Sequence, residues 1–396
     1  MVRLPIYLDN HATTRCDPRV VEAMLPYFSE QFGNASSSNH SFGHEAREAV
    51  ESARVTIASL INAPARNIVF TSGATESNNL VIRGVAENAR RRGDHLVTVT
   101  TEHKAVLDPM RHLTRHGFEL SLIDVEQHDG QTPGRLDPQR VADTLRDDTA
   151  LVSVMLANNE IGIIHDIPAI AKICHSWGVP LHVDATQAVG KIPVDVEQLG
   201  VDAMSFSSHK IYGPKGGGGL YVRKRAPLAR LEPQMDGGGQ EGGLRSGTLN
   251  VPGIVGFATA ASLCAREMAG EAVRVRQLRD RLWRGLIDAL PDVLLNGPPL
   301  DSKNSQRLDG NLNVHFPGVD GEALMLHVRD IAVSSGAACT SANPEPSHVL
   351  RALGCSEDRT RASLRFGIGR FNTAEEIDFA VAAVSETVRT LRRLKE

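Results

Sequence analysis

The sequence predicts an α/β protein: a large domain built on a mainly parallel sheet, followed by a smaller α+β domain. Three observations carry that expectation. At 396 residues the chain exceeds the length at which single cores usually stop growing, which favours two domains. Between about residues 60 and 225, short apolar runs alternate with helix-like stretches, the pattern of a sheet flanked by helices. After "LRSGTLNVPGIVG" the texture changes to a long amphipathic segment with arginines opposite its apolar face.

Strands are expected at "NIVF" (67–70), "HLVTVT" (95–100), "ELSLID" (119–124), "ALVSVML" (150–156), "PLHVDA" (180–185), "AMSFSS" (203–208) and "GGLYVR" (218–223). Their Val, Ile, Leu and Phe content suits strands covered on both faces. Helices are expected over 75–91, 104–116, 137–146 and 166–177, and the long segment reads as one helix over roughly 254–290. Beyond it, "NLNVHF" and "SLRFGI" read as short strands and 321–329 and 346–353 as helices; Thr373 to Glu376 reads as a capping box opening the last helix. The large domain is expected to span 16–262, and the small one 1–15 together with 263–396.

A formal net charge of −4 gives no electrostatic reason to expect nucleic acid or an anionic membrane as partner. The arginine runs "ARRRG" and "RKRAPLAR" read as solvated faces. The N-terminus lacks a charged-then-apolar signal, and no window approaches the ~18 apolar residues of a membrane span, so a cytoplasmic location is expected. Five cysteines, at 16, 174, 264, 339 and 355, are odd in number and never spaced C-x-x-C, which argues for reduced thiols and against a disulfide or zinc framework. Cys339 stands apart, in "VSSGAACTSANPEP". Its neighbours are small, as suits a thiol that must travel or be reached.

In an open parallel sheet, ligands bind beyond the carboxyl ends of the strands, so polar residues just after apolar runs are the candidates. "NIVF" runs into "TSGATESNN", where N–H groups at Gly73, Ala74 and Thr75 could hold a phosphate at a helix N-terminus. Alone, that reads as an ordinary strand-to-helix turn. Asp184 in "HVDATQ" ends a buried strand, where a carboxylate is costly without a cation or several donors. Lys210 emerges one strand later in "SFSSHK", flanked by Ser207, Ser208 and His209. Together they match the needs of pyridoxal phosphate: an amine for the Schiff base, an acid for the pyridinium nitrogen and donors for the phosphate. His103 in "TTEHKAV" follows another strand and could move protons over the ring, though a core or surface histidine is equally compatible with its position. "YGPKGGGGLYV" is not a P-loop, because its glycines precede a strand and no G-K-[ST] ending follows. His40 and His44 lack a third ligand and read as a loop-to-helix entry rather than a metal site.

At this point the chain resembles the cysteine desulfurases of the IscS/NifS group, pyridoxal phosphate enzymes of the aminotransferase fold (fold type I). The likeness spans nearly the whole chain, through "YLDNHATT", "FGN", "FTSGATESNN", "TEHKAVL", "NNEIG", "HVDATQAVGK", "SFSSHKIYGPKG", "LRSGT", "SSGAACTS", "EPSHVLRALG" and "LRFGIGRF" in that order. The resemblance implies that Lys210 holds the cofactor, Asp184 pairs with the pyridine nitrogen, Gln187 bonds the phenolic oxygen and His103 stacks on the ring. It implies phosphate donors at Ala74, Thr75, Ser207 and His209, with Thr248 reaching in from the opposite subunit of a homodimer. Asn158 and Arg365 match positions that contact cofactor and substrate, and a guanidinium can grip a substrate carboxylate with two bonds. Cys339 matches the nucleophile, which would take sulfur from L-cysteine as a persulfide, release alanine and pass the sulfur on. Contact of that persulfide with an iron–sulfur cluster would be transient, and no metal site is expected.

The sequence departs from the group's common pattern at His11, Gly242 and Ala337, and ends at "LRRLKE" without the extension that helps some members dock an iron–sulfur scaffold. An iron–sulfur scaffold, a tRNA-thiolating enzyme or a DNA-sulfur pathway would each accept the sulfur. The competing activities are a selenocysteine lyase and an aminotransferase, and a role as a sulfur-relay docking platform could coexist with catalysis.

Overall fold

The computed structural model describes residues 2–89, 93–224, 231–300, 306–335 and 346–395. Seven strands form the central sheet: β1 (Ile68–Thr71), β2 (His95–Val99), β3 (Glu119–Ile123), β4 (Thr149–Met155), β5 (Leu181–Asp184), β6 (Ala203–Ser207) and β7 (Gly218–Val222). Their order across the sheet is β1-β7-β6-β5-β4-β2-β3. β7 runs antiparallel to both its neighbours, and the remaining pairs are parallel. β2, β4, β5 and β6 are buried at every position, which explains their unbroken apolar character. The chain thus adopts the expected α/β architecture, with the carboxyl ends of β1, β2, β4, β5 and β6 along one edge.

Helices Ala74–Ala89, Lys104–Thr114, Pro138–Thr144 and Ile167–Ser176 follow four of these strands, within a few residues of the expected limits. Asp137 and Asp166 cap the last two by accepting backbone N–H bonds, each ahead of a proline in the first turn. Helix Ser41–Leu60 has no counterpart among the expected elements beyond its entry point. There His40 accepts the N–H of Gly43, so the His40/His44 pair marks a capped helix start. No group of residues able to hold a metal ion occurs among the described residues.

The long helix runs from Val251 to Ala289, capped by Asn250, which accepts the N–H of Gly253. At about 1.5 Å per residue it is long enough to serve two cores. Val251, Ile254, Phe257 and Leu263 pack with the central sheet's apolar core, while Val275, Leu278, Leu282 and Leu286 pack into a second core. That second core also takes Ile6 and Leu8 from the N-terminal segment. Four short antiparallel strands line it, in the order Ser334–Ser335, Ser363–Gly367, Asn311–His315, Leu294–Leu295. The final helix, Ala374–Arg393, opens with the capping box between Thr373 and Glu376. Among the described residues no helix is long and apolar enough to cross a membrane.

Candidate active site

The strand ends and the small sheet enclose a cleft of about 820 Å³. Ala74, Thr75, His103, Asp184, Gln187, Ser207, His209, Lys210 and Arg365 all line it. Asn158 and Thr248 do not, and Cys339 and Ala337 lie outside the described residues.

At the end of β1, Ser72 and Gly73 lead into helix Ala74–Ala89. The N–H groups of Ala74 and Thr75 make no hydrogen bond among the described residues, leaving free donors at a helix N-terminus. β7 presses close beneath this turn: a Cβ on Gly218 would sit 2.5 Å from the Cα of Gly73. Glycine is therefore a steric requirement at Gly218. Ser207, at the end of β6, adds a hydroxyl with one long bond of 3.5 Å to the Gly217 carbonyl. His209 is tied through Nδ1 to the Thr13 hydroxyl at 3.0 Å, and burial pushes its pKa down to about 4.

Asp184 is 5% exposed, and its carboxylate is held by two donors, the Thr186 N–H at 2.9 Å and the Asn78 amide at 2.8 Å. Asn78 is one helical turn beyond Ala74, so a single helix offers its N-terminus to one part of the cleft and an amide to another. The amine of Lys210 donates to the main-chain carbonyls of His11 and Ala12, both at 2.6 Å. Burial, then the positive charge of Arg365, lowers its pKa to about 8. A lysine in that range exchanges its proton readily near neutral pH.

His103 caps helix Lys104–Thr114, its Nδ1 accepting the N–H of Ala105 at 3.1 Å. The cap keeps Nδ1 unprotonated, and desolvation in the cleft lowers the pKa of the ring. Gln187 is 4% exposed; its Nε2 donates to the His11 carbonyl at 2.8 Å, and its Oε1 accepts from Lys191 at 2.6 Å. Arg365 donates through Nη2 to Asp9 at 2.7 Å and Ser334 at 2.8 Å, while its Nε is enclosed without a partner.

Asn158 is fully buried, and its side chain is committed within the protein: its amide donates to the Thr101 carbonyl and the Met155 sulfur, and its oxygen accepts from the N–H groups of Glu160 and Ile161. Its neighbour Asn159 lines the cleft instead. Thr248 is exposed and borders a separate recess of about 120 Å³ with Ser72, Gly217 and Arg245. Sequence reasoning passed over Asn78, Asp9, Glu102 and Lys191. Asn78 could have been found from its i+4 spacing to Ala74; the others carried no signal, since their partners come from distant segments. Glu102 is fully buried with one oxygen on the Met155 N–H and the other unpaired, and desolvation beside Asp184 raises its pKa well above the carboxylate range.

These residues suit pyridoxal phosphate on their own chemistry. Free N–H donors and hydroxyls match a phosphate, a carboxylate fixed by two donors matches a pyridinium nitrogen, and a lysine of lowered pKa matches the aldehyde.

The family model described as Aminotransferase class-V matches residues 6–379. The chain is 56% identical over 393 residues to the cysteine desulfurase IscS of Anaeromyxobacter sp. (strain Fw109-5), covering 99% of this chain and 95% of that relative. It is 52% identical to the cysteine desulfurase IscS of Methylococcus capsulatus, with 99% and 94% covered. Among solved structures, a NifS-like protein superposes with a TM-score of 0.89 at 36% identity, over 98% of this chain and all of that one.

Proposed function

The chain belongs to the aminotransferase class-V family, as a cysteine desulfurase of the IscS/NifS group, and from that premise we propose how its residues divide the work. It is a pyridoxal phosphate cysteine desulfurase, converting L-cysteine to L-alanine, and in this reading its sulfur supplies iron–sulfur cluster assembly or other thiolation. The observation that most supports the residue roles is the convergence of Lys210, Asp184 and the Ala74–Thr75 helix start on one cleft.

Lys210 would hold the cofactor through its amine, Asp184 its ring nitrogen and Gln187 its phenolic oxygen. Ala74, Thr75, Ser207 and His209 would hold the phosphate. When bound, pyridoxal phosphate supplies an electron sink for the carbon that loses its proton. Arg365, anchored by Asp9 and Ser334, receives the carboxylate of L-cysteine. The Lys210 amine, which would be freed when the substrate's amino group takes its place, would accept the α-proton, a role supported by its pKa of about 8. His103, with Nδ1 committed to its helix cap, exchanges protons through Nε2. The thiolate of Cys339 then bonds to the substrate sulfur as the carbon–sulfur bond breaks. The electron pair stays on the carbon side, a proton returns there, and alanine leaves.

The proposal includes a homodimer in which Thr248 completes the partner's phosphate site. Its support is the exposed position of Thr248 and the exposed apolar side chains Leu25, Phe28, Phe32 and Phe42, of which Phe32 and Phe42 stack on each other. A sulfur-accepting protein and a cytoplasmic setting belong to the same reading; the latter is supported by four unbridged thiols among the described residues.

The test is the absorbance of the purified protein with and without L-cysteine, followed by mass spectrometry of the Cys339 peptide. A cofactor band that responds to L-cysteine, with one added sulfur on Cys339, is the expected result. Cys339→Ala should keep the band and lose sulfur release. Full sulfide production by that variant would refute the assigned nucleophile.

A further inference from the structure

Behind the cleft, Lys191 is a second amine that the reaction above does not use. It lies four residues after Gln187 and donates to Gln187 Oε1 at 2.6 Å. Gln187 Oε1 also faces Nδ1 of His11 at 3.1 Å, and Gln187 Nε2 donates to the His11 carbonyl at 2.8 Å. The same carbonyl accepts from Lys210 at 2.6 Å. One short chain of hydrogen bonds therefore runs from Lys191 through Gln187 and His11 to Lys210.

The donor and acceptor inventory leaves one arrangement. An ammonium only donates, so the Gln187 atom facing Lys191 must be the oxygen. The reverse orientation would set the amide NH2 against Lys191 and the amide oxygen against the His11 carbonyl, opposing like partners at both ends. With Oε1 fixed as an acceptor, His11 Nδ1 must carry the hydrogen. His11 is 2% exposed and its Nε2 is buried without a partner, so the ring is neutral with its lone pair at Nε2. Burial, then the charge of Lys191, likewise drives its pKa well below the ordinary histidine value. The Gln187 amide has two N–H bonds, of which the His11 carbonyl takes one. The second is the one available to a phenolic oxygen.

We propose that Lys191 is a positioning residue: by clamping Gln187 Oε1 it presents the Gln187 N–H, and not the oxygen, to the cofactor site, and it fixes His11 as the Nδ1–H tautomer. This rests on the proposed role of Gln187 at the phenolic oxygen. Burial lowers the Lys191 pKa to about 7, and a neutral amine could also accept, but the His11 carbonyl still requires the amide N–H at the other end, so the orientation holds in either charge state.

Two measurements test it. In the cofactor-free protein, nitrogen NMR of labelled histidine, with His11→Asn used to assign the signal, should show hydrogen on Nδ1 of His11. Hydrogen on Nε2 would overturn the clamp whether or not the protein binds a cofactor, so this arm is independent of the proposed function. In the holoenzyme, Lys191→Met should move the midpoint of the cofactor's absorbance titration by about half a pH unit or more, as expected when a charge-stabilising hydrogen bond is lost. Lys191→Arg, which can only donate, should restore the wild-type midpoint. A Lys191→Met midpoint equal to wild type, or a shift that Lys191→Arg leaves uncorrected, would overturn the proposal. If wild-type protein binds no pyridoxal phosphate, the proposed function fails while the tautomer measurement still judges the clamp.

Discussion

Arg365 and Asp9 form an ion pair of 2.7 Å across 356 residues of sequence, and Ser334 donates to the same carboxylate oxygen at 2.9 Å. Both side chains are largely buried, 9% and 18% exposed, so the pair is stronger than a surface bridge. The arrangement aims a guanidinium into the cleft's wall before any substrate arrives.

Removing that brace should be visible in substrate affinity. Asp9→Asn is expected to raise KM for L-cysteine several-fold with a smaller change in kcat, whereas Arg365→Ala should raise KM by roughly 10- to 100-fold, the value of a charged hydrogen-bonded pair. Steady-state kinetics on cofactor-saturated protein decides this, and an unchanged KM in Arg365→Ala would remove Arg365 from the substrate site.

His103 holds a structural and a chemical position at once, and two substitutions separate them. Asparagine can keep the cap on Ala105, so His103→Asn should lose turnover by roughly 100-fold or more while melting close to wild type. His103→Ala should lose comparable activity and also about 1 kcal/mol of stability through the missing cap. Thermal melts alongside turnover make the comparison; equal activity in His103→Asn and wild type would rule out a proton-moving role.

Gly218 tests the phosphate cradle sterically. Gly218→Ala would place a methyl group 2.5 Å from Gly73 Cα, so the turn must shift. The expected outcome is at least a tenfold weaker grip on pyridoxal phosphate, read by equilibrium dialysis, with a lowered melting temperature. Wild-type cofactor affinity would mean that the Gly73–Thr75 turn does not carry the phosphate.

Acid stability should report Asp17. This nearly buried carboxylate caps helix Pro18–Met24, bonds Arg19, and pairs at 2.9 Å with Arg370, which packs 4.2 Å from the Tyr212 ring centroid. The Arg19 hydrogen bond, then the backbone and Arg370 bonds, hold its pKa far below the ordinary value of 3.8, against the opposing effect of burial. A carboxyl with a lower pKa folded than unfolded contributes stability that is full above its unfolded value and lost as pH falls through its folded one. Asp17→Asn should therefore cost about 3 kcal/mol at neutral pH. The gap to wild type should shrink progressively below about pH 4. Denaturant unfolding at pH 7 and pH 3 measures both; a gap that stays constant would show that the charge of Asp17 is immaterial.

Much of the fold was legible because its signals are local. The seven central strands announce themselves as short apolar runs, and the capping box at Thr373 is written in four consecutive residues. Helix Ser41–Leu60 was less visible: its buried face is made of alanines, Gly43 and Arg54 as well as Val50 and Ile57, a weak apolar stripe that becomes helical against the long helix. In the site, Asp184 and Lys210 could be placed at one sheet edge because Asp184 ends β5 and Lys210 follows the end of β6 by three residues, where ligands of open parallel sheets bind. The Asn158 and Asn159 pair could not be resolved by spacing, since which neighbour turns inward depends on backbone bonds at Thr101, Glu160 and Ile161.

By itself the sequence determined the α/β class, the strand ends that bear chemistry, and the family to which the chain belongs. All three rest on periodicity and on motifs of a few residues, which survive without knowledge of distance. Only the tertiary structure decided that Asp9 braces Arg365, that Asn78 grips Asp184, and that Lys191, Gln187 and His11 form one hydrogen-bonded chain ending at Lys210. Those relations arise when segments far apart in the chain are desolvated together, and a hydrogen bond or charge acquires its strength and direction only at contact distance, in surroundings from which water has been removed.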